Sequence, residues 1–125
     1  MKFMVVDDDL YMIEVITAFL KKEQCDVISY TDISDGIRYI MQERVDGVVL
    51  DLHMPGMNAF DAIPILREIA PETFIGIVTS DTSASARHNA LMAGADFFLE
   101  KPNEIPQIIE AVEVCRSKRK LAVSS

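Results

Sequence analysis

An apolar run that ends in a single carboxylate is the feature that most constrains how this chain folds. Residues 48–50, Val-Val-Leu, have the pattern of a strand buried on both faces. Asp51 follows directly, and Pro55 and Gly56 predict a turn shortly after it. A charge beside a buried strand is costly unless something needs it there. Because ligands bind at the carboxyl ends of strands in open α/β sheets, Asp51 is predicted to be a reactive carboxylate.

Apolar runs and helical patterns alternate along the whole chain. The predicted strands cover residues 3–6, 27–30, 46–51, 74–78 and 97–99. An amphipathic helical pattern follows each strand, the first from Leu10 to about Glu23. Five such units in a row indicate a parallel sheet with helices on both faces and right-handed connections. The predicted fold class is therefore α/β, a doubly wound five-stranded parallel sheet in one domain.

Single residues predict where several helices begin and end. The candidate N-caps of the first three helices are Asp9, Asp32 or Ser34, and Asn58 or Asp61. Pro64 lies inside the third helical pattern and is expected to kink that helix or move its start later. Gly94 is the predicted C-terminal cap of the fourth helix.

The apolar stripes of the helices predict which side chains are buried. In the second and third helices these are Ile33, Ile37, Ile40, Met41, Ile63, Leu66 and Ile69. The fourth helix is rich in alanine, and its thin stripe consists mainly of Ala84 and Leu91. A helix with so little apolar surface is weakly held and able to shift.

Composition narrows the class of protein. The 125 residues carry a formal net charge of −8 and have a pI of about 4.6, which disfavours direct contact with nucleic acid or anionic lipid. Cys25 and Cys115 fit no metal-binding spacing and are predicted to be buried apolar residues in a reducing compartment. No apolar run approaches the roughly 18 residues of a membrane span, and residues 1–3 leave no room for a signal peptide. We expect a cytoplasmic protein.

Polar side chains follow four of the five predicted strands. They are Asp7 and Asp8, Asp51, Thr79 and Lys101. The carboxyl ends of parallel strands share one edge of the sheet, so these side chains are predicted to converge. Three neighbouring carboxylates repel one another, so either their pKa values are raised or a cation holds them. A ligand set of oxygen atoms suits Mg²⁺.

This set of residues suits phosphoryl transfer to a carboxylate. Asp51 would be the nucleophile, and Lys101 would neutralise the charge that develops on the transferred group. The chain has no glycine-rich phosphate loop, which argues against direct transfer from ATP. Each motif alone has a simpler interpretation: residues 7–9 as a solvated turn with a helix cap, and Asp51 as a turn residue before Pro55. Their joint position at successive strand ends favours the functional interpretation.

Together these motifs resemble the receiver domain of response regulators, the phospho-acceptor half of two-component signalling. The carrying motifs are Val-Val-Asp7-Asp8-Asp9, Val-Leu-Asp51-Leu-His-Met-Pro, Ile-Val-Thr79-Ser80 and Leu-Glu-Lys101-Pro102. The resemblance extends from Phe3 to about Arg116. It implies a flavodoxin-like (βα)5 fold with strand order 2-1-3-4-5. Residues 1–118 would then form the receiver domain, and residues 119–125 a C-terminal tail or the start of a linker.

The resemblance also implies a role for each residue at the strand ends. Asp51 would be the phospho-acceptor, and Lys101 would assist phosphoryl transfer. The Mg²⁺ site would comprise Asp7, Asp8, Asp51 and the backbone carbonyl of His53. The phosphoryl donor would be a sensor histidine kinase, a phosphotransfer protein or a small phosphodonor. Apart from accepting this group and slowly removing it, such a domain is a signalling switch and not an enzyme.

The switch is implied to involve Thr79, which turns toward the phosphoryl group, and Phe98, which occupies the aromatic switch position. Phe98 lacks the hydroxyl of the tyrosine that is common there. The Lys101–Pro102 bond is expected to be cis. The responsive surface would comprise the fourth helix, fifth strand and fifth helix, through which the domain contacts an output domain or protein or forms a homodimer.

Two pairs of residues near the site lead to separate hypotheses. His53 and Asp81 flank Asp51 and Thr79, and we expect them to tune how water reaches the phosphoryl group. The turn that begins at Met54-Pro55 ends in Asn58-Ala59 where Asp-Gly is more frequent. Ala59 lacks the conformational freedom of glycine, so the start of the third helix is a place where the loop can differ.

Two other functions remain open from the residues. One is a Mg²⁺-dependent phosphatase or phosphotransferase with an aspartyl nucleophile. That chemistry usually needs a second carboxylate two residues after the nucleophile, where this chain has His53. The other is a flavodoxin-like cofactor binder. It would need a phosphate-binding loop after the first strand, where residues 7–9 are three aspartates that would repel phosphate.

Overall fold

Strands and helices alternate throughout the computed structural model, which describes the backbone of residues 1–124 and the side chains of residues 1–119. The strands are β1 (Lys2–Val6), β2 (Asp26–Tyr30), β3 (Gly47–Leu50), β4 (Phe74–Thr79) and β5 (Phe97–Glu100). The α-helices are α1 (Leu10–Lys22), α2 (Ile33–Gln42), α3 (Ala59–Ile69), α4 (Ala84–Ala93) and α5 (Ile108–Ser124). A 3-10 turn, Ile105–Gln107, precedes α5 and contains Pro106.

The five strands form one parallel sheet in the order β2-β1-β3-β4-β5. This confirms the predicted fold class and the strand order that the resemblance implied. In the register between β1 and β3, Val6 pairs with Leu50, and the Asp51 amide donates to the Val6 carbonyl at 3.2 Å. Asp7 and Asp51 are therefore the first residues beyond two neighbouring strands.

Side chains of the central strands alternate between two apolar clusters, one on each face of the sheet. Val48 and Leu50 join the cluster beneath α2, α3 and α4, whereas Val49 joins the cluster beneath α1 and α5. Cys25 and Cys115 lie in the second cluster, each 5% exposed, as predicted. Burial on both faces explains why the strand before Asp51 has no polar residue.

Within the described residues, no helix is long and apolar enough to cross a membrane.

Side-chain caps fix the start of the first four helices. The capping oxygens belong to Asp9, Asp32, Asn58 and Ser83, each of which accepts a backbone N–H from the first turn. The structure thus selects Asp32 over Ser34 and Asn58 over Asp61. These caps satisfy amides that have no partner inside the helix.

Two alternative effects were predicted for Pro64, a kink in α3 or a later start of the helix. The later start was wrong, and the kink stays a prediction. The helix begins at Ala59, five residues before Pro64, and Pro64 lies on its exposed side. Proline removes the N–H that would donate to the carbonyl four residues earlier, and its ring crowds that carbonyl. The Asn58 cap and the buried Ala59 fix the beginning of the helix in spite of that loss.

Two predicted core positions in α2 and α3 are exposed. Met41 is 67% exposed, and the buried line of α2 runs instead through Ile33, Gly36 and Ile40. Since successive helical residues are rotated by about 100°, Met41 points away from that line. Ile69, the last residue of α3, lies at the margin of the buried face and is 39% exposed.

The apolar stripe of α4 is even thinner than predicted and consists of different residues. Ala86 and Ala90 are the buried residues of this helix, whereas Ala84 is exposed and Leu91 is 43% exposed. The prediction for Ala84 and Leu91 was therefore wrong. Gly94 ends α4 in the left-handed conformation, with φ 120°, as predicted.

The last helix continues through the boundary predicted at residue 118, since α5 reaches Ser124. Lys118 Nζ lies 3.2 Å from Asp96 Oδ1, and Arg119 contacts Asp46 Oδ1 at 3.1 Å. These ion pairs tie α5 to the residues that precede β5 and β3. Ser125, the end of the predicted tail, lies outside the described residues, and the division of the chain at residue 118 stays a prediction.

Asp96 links three elements, and we expect its charge to contribute to stability. Its carboxylate accepts the Ile75 amide at 2.9 Å and pairs with Arg67 and Lys118. Burial alone raises the pKa of Asp96, but these hydrogen bonds and charges lower it below 3.8 overall. A lowered folded-state pKa gives stability that is present above pH 3.8 and is lost as the pH falls below it.

We therefore expect Asp96→Asn to lower the free energy of unfolding by about 2 kcal/mol at pH 7. In urea titrations the difference from wild type should shrink as the pH approaches 3.5. Glu113→Gln, which removes an exposed carboxylate paired with Arg116 on α5, is the control and should change little. If Asp96→Asn loses the same free energy of unfolding at pH 7 and at pH 3.5, the charge of Asp96 is not the source of the stability.

Candidate functional site

The polar residues predicted to converge do meet at the carboxyl edge of the sheet. Asp7 and Asp8 follow β1, Asp51 follows β3, Thr79 ends β4 and Lys101 follows β5. Carboxylate oxygens of Asp7, Asp8 and Asp51 lie within 4.8 Å of one another. The parallel sheet thus brings Asp7 and Asp8, Asp51 and Lys101, from three separate parts of the chain, into one cluster.

Lys101 lies between two of the three carboxylates. Its Nζ is 2.7 Å from Asp7 Oδ2 and 3.3 Å from Asp51 Oδ2. All three side chains are nearly enclosed, with 2% of Asp7, 12% of Asp51 and 11% of Lys101 exposed. Burial by itself lowers the pKa of Lys101, but the hydrogen bond that Lys101 donates to Asp7 and the charges of both aspartates raise it overall. Lys101 is therefore a fixed positive charge beside Asp51.

Backbone amides hold the other oxygens of the two buried carboxylates. Asp7 Oδ1 accepts the Asp9 amide at 2.9 Å, and Asp51 Oδ1 accepts the His53 amide at 3.4 Å. Asp8 is exposed, so its carboxylate closes the cluster on the solvent side. The orientation of Asp51 is set by its own loop on one side and by Lys101 on the other.

The ligand atoms in this cluster fit Mg²⁺. Three carboxylates supply only oxygen, the atom type that hard divalent cations prefer, and no cysteine or histidine side chain belongs to the group that the structure describes. The exposed position of Asp8 leaves room for water, which Mg²⁺ usually retains. The backbone carbonyl of His53 as a further ligand stays a prediction, supported by the contact between the His53 amide and Asp51.

Thr79 is buried, and its hydroxyl is turned toward its own loop. Thr79 Oγ1 accepts the Asp81 amide at 3.2 Å, while the Thr79 carbonyl accepts the Lys101 amide at 2.7 Å. The backbone of Thr79 is thereby joined to the lysine that lies beside Asp51. Rotation of the hydroxyl toward Asp51 stays a prediction.

Phe98 lies in the core cluster beneath α4, with 5% of the residue exposed. The Lys101–Pro102 bond is cis, as the resemblance implied. The Arg87 guanidinium of α4 lies over the Phe98 ring, with its central carbon 4.9 Å from the ring centroid. Nothing in the local sequence around Arg87 pointed to this contact.

His53 and Asp81 form a bridge at the rim of the site. His53 Nε2 lies 2.7 Å from Asp81 Oδ2, and Ser83 donates to the other oxygen of Asp81 from both its amide and its hydroxyl. The hydrogen bonds from His53 and then from Ser83 lower the pKa of Asp81 to about 2. The bridge joins the loop after β3 to the loop after β4. In the sequence, His53 is two residues after Asp51, and Asp81 is two residues after Thr79.

The loop beyond Asp51 follows the predicted turn. Gly56 has φ 89°, a conformation that favours glycine. Asn58 accepts the Phe60 amide at 2.8 Å, and Ala59 is already the first helical residue. Because Ala59 needs no positive φ, the absence of Asp-Gly does not disturb the start of α3.

A cavity of about 580 Å³ lies at the opposite edge of the sheet. Its walls include residues that precede β3, β4 and β5 and cations from α3 and α5. Three of those cations, Arg67, Lys118 and Arg119, already pair with Asp46 or Asp96. We interpret this cavity as the gap around an ion-pair network, remote from the carboxylate cluster.

Comparison with known families identifies a match over most of the chain. The family described as response regulator receiver domain matches residues 3–113. The transcriptional regulatory protein DltR of Streptococcus agalactiae serotype III is 29% identical over 114 residues, which are 91% of this chain and 51% of that protein. A protein-glutamate methylesterase/protein-glutamine glutaminase of Geobacter sulfurreducens is 35% identical over 105 residues, 82% of this chain and 28% of that protein.

Solved structures show the same fold. A response regulator receiver domain protein from Clostridium thermocellum superposes with a TM-score of 0.87 at 23% identity, covering 97% of this chain and 98% of that one. A CheY-like receiver domain protein from Methanospirillum hungatei gives a TM-score of 0.86 at 22% identity, covering 95% and 96%. This chain spans about half the length of the first curated relatives that it matches.

Proposed function

The chain belongs to the response regulator receiver domain family, whose members act in phosphorylation-dependent signalling, and from this premise we propose that Asp51 is its phospho-acceptor. The observation that carries the proposal is the position of Asp51, which lies beside Lys101 and within 4.8 Å of two further carboxylates at the carboxyl edge of the sheet. Of the three carboxylates, Asp51 is the one that lies beside Lys101 and also keeps partial exposure, 12% against 2% for Asp7.

The chemical step would be transfer of one phosphoryl group to a carboxylate oxygen. An Asp51 oxygen attacks the phosphorus, the bond from phosphorus to the donor's nitrogen or oxygen breaks, and the donor leaves with that electron pair. Lys101 offsets the negative charge on the transferred group. Bound Mg²⁺, held by Asp7, Asp8 and Asp51, would supply further neutralisation of the phosphoryl oxygens. Later attack by water releases inorganic phosphate and restores Asp51.

The partners follow from the same proposal. The donor would be a sensor histidine kinase, a phosphotransfer protein or a small phosphodonor, and the protein would act in the cytoplasm. Several relatives are transcriptional regulatory proteins about twice as long as this chain. We propose that this domain likewise controls an output domain or protein and does not itself bind nucleic acid. Homodimerisation through the α4-β5-α5 face belongs to the same proposal.

The switch would act by moving a weakly held element. The phosphoryl group carries about −1.5 to −2 units of charge, in place of the single negative charge of the Asp51 carboxylate. Thr79 and Lys101 are drawn toward that charge, and the backbone bond between them makes β4 and the loop after β5 respond together. Since α4 buries only Ala86 and Ala90, little apolar contact opposes its displacement.

Acetyl phosphate with Mg²⁺ tests the proposal against its alternative. A receiver domain should gain a single adduct of about 80 Da by intact mass, the mass of one phosphoryl group. An aspartyl phosphatase would instead hydrolyse p-nitrophenyl phosphate with steady turnover and accumulate no adduct. His53, where that chemistry needs a second carboxylate, favours the receiver domain.

We expect Mg²⁺ to stabilise the folded protein through Asp8. At ten times its Kd, one bound ion adds about 1.4 kcal/mol, which raises Tm by about 5 °C in differential scanning fluorimetry. Asp8→Asn should lose most of this response. Asp9→Asn removes the same charge one residue later and retains a capping side chain, so it should keep the response. An equal loss in both variants would mean that Mg²⁺ acts through overall charge.

The bridge between His53 and Asp81 is expected to slow dephosphorylation. It spans the two loops beside Asp51, so its removal should give water easier access to the phosphoryl group. His53→Ala and Asp81→Ala should each lose phosphate several-fold faster after the donor is removed, as followed by intact mass. Ser80→Ala is the control, because Ser80 lies beside Asp81 in the loop after β4 but takes no part in the bridge. Unchanged rates in both bridge variants would remove this role.

A further inference from the structure

We propose that Arg87 of α4 is a positioning residue that holds the Phe98 ring inward and ties α4 to the loop that carries Lys101. The proposal deepens the proposed function and rests on it where it concerns signalling. Three features of the structure support it. Arg87 covers the Phe98 ring, Arg87 has an anchor outside α4, and α4 is only weakly attached by other contacts.

The first is the contact between Arg87 and Phe98. The guanidinium lies over the ring, 4.9 Å from its centroid, which is within the range of a cation–π interaction. Phe98 is 5% exposed, whereas the Arg87 side chain is 47% exposed. Arg87 therefore lies between the ring and solvent, and Phe98 cannot turn outward without displacing it.

The second is the anchor at Glu104. Arg87 Nη2 lies 3.8 Å from Glu104 Oε1, and the same oxygen accepts the Glu100 amide at 2.8 Å. Glu100 ends β5 and Glu104 lies just beyond the Lys101–Pro102 bond, so this carboxylate is fixed to the loop that carries Lys101. Arg87 thus reaches from α4 to one end of that loop and is linked to the other end through Glu104.

The third is the weak attachment of α4 by other means. Its buried surface comes from Ala86 and Ala90, and its larger apolar side chains, Leu91 and Met92, are 43% and 75% exposed. The helix contains no acidic residue, so Arg87 has no charge partner within α4. A contact of modest strength is consequently a large share of what holds this helix in place.

The chemistry of residue 98 makes such a contact useful. Phenylalanine has no hydroxyl with which to anchor its edge, but the face of its ring attracts a cation. Arg87 can therefore fix the orientation of Phe98 without an edge hydrogen bond. When Lys101 is drawn toward a phosphoryl group on Asp51, movement of its loop reaches Arg87 through Glu104 and so reaches α4.

Hydrogen exchange by mass spectrometry tests the contact in the unphosphorylated protein. Arg87→Gln should raise the exchange rate of amides in α4 about threefold to fivefold, and Glu104→Gln should do the same to a smaller extent. In the double variant the second change should add almost nothing, as expected for two partners in one interaction. Arg38→Gln, which removes an exposed arginine paired with Asp35 on α2, is the matched control and should leave α4 unchanged.

The role in signalling is tested by repeating the exchange after acetyl phosphate and Mg²⁺. Phosphorylation should alter the exchange of α4 amides in wild type. At an equal yield of adduct, this change should be at least halved in Arg87→Gln. Arg87→Lys, which keeps the cation, should recover part of the wild-type change. Unchanged α4 exchange in both single variants overturns the proposal, as does a rise spread over the whole protein. If no adduct forms in wild type, that result counts against the phospho-acceptor role of Asp51. The exchange of the unphosphorylated variants still tests whether Arg87 holds α4 in place.

Discussion

Asp51→Asn is expected to accept no phosphoryl group from acetyl phosphate and Mg²⁺ under conditions that modify most of the wild-type protein. An amide has the shape of the carboxylate but lacks the negatively charged oxygen that attacks phosphorus. The substitution should not weaken the fold, because it removes one of three like charges in a confined cluster. Intact mass gives the yield of adduct, and thermal unfolding checks that the variant is folded.

Asp35→Asn is a suitable control for this result. Asp35 is an exposed aspartate of α2, paired with Arg38 at the surface, and its loss should leave the yield of adduct unchanged. If Asp51→Asn were modified as fully as wild type, another residue would be the acceptor and the proposed role of Asp51 would be wrong.

Lys101→Met is expected to slow phosphorylation by about 100-fold or more, the usual effect of removing a preorganised group that stabilises developing negative charge. Methionine keeps most of the length and apolar volume of lysine but supplies no charge. Asp7 and Asp51 would then face each other without the cation that lies 2.7 Å and 3.3 Å from them. We also expect the variant to be less stable than wild type when Mg²⁺ is omitted.

Initial rates of adduct formation at a fixed acetyl phosphate concentration measure this effect. Lys118→Met is the matched control, because Lys118 pairs with Asp96 at the opposite edge of the sheet. It should phosphorylate at the wild-type rate. A rate for Lys101→Met within threefold of wild type would mean that Lys101 holds the cluster together without taking part in transfer.

The fold and the cluster at the strand ends were predictable because both depend on local patterns. Alternation of apolar runs and helical stripes determines the order of the elements, and a parallel sheet then brings every strand end to one edge. Asp7, Asp51 and Lys101 could therefore be placed together although 94 positions separate the first from the last. Candidate caps for the first three helices were predictable for the same reason, since a cap and its amides are two or three residues apart.

Other features depend on contacts that no local pattern encodes. The rotation of α2 about its axis is set by packing against β1, where a Cβ on Gly36 would come within 3.0 Å of Met4 Sδ. That fit buries Gly36 and leaves Met41 outside, against the prediction. The pairing of Arg87 with Phe98 likewise joins residues from two elements whose relative position the sequence does not reveal.

The loops at the rim of the site show the same limit. His53 and Asp81 were expected near the phosphoryl group, but their 2.7 Å contact joins residues 28 positions apart in two different loops. Its existence depends on how far each loop extends beyond its strand. Sequence reasoning could name both residues and could not predict the bond between them.

The most direct test of the central proposal is to locate the phosphoryl group itself. Wild-type protein treated with acetyl phosphate and Mg²⁺ is reduced with borohydride, which converts an aspartyl phosphate to homoserine, and its peptides are then sequenced by tandem mass spectrometry. We predict homoserine at Asp51 and unmodified aspartate at Asp7, Asp8 and Asp9. Homoserine at one of those three positions with Asp51 intact, or a stable phosphate on a histidine or serine, would contradict the account.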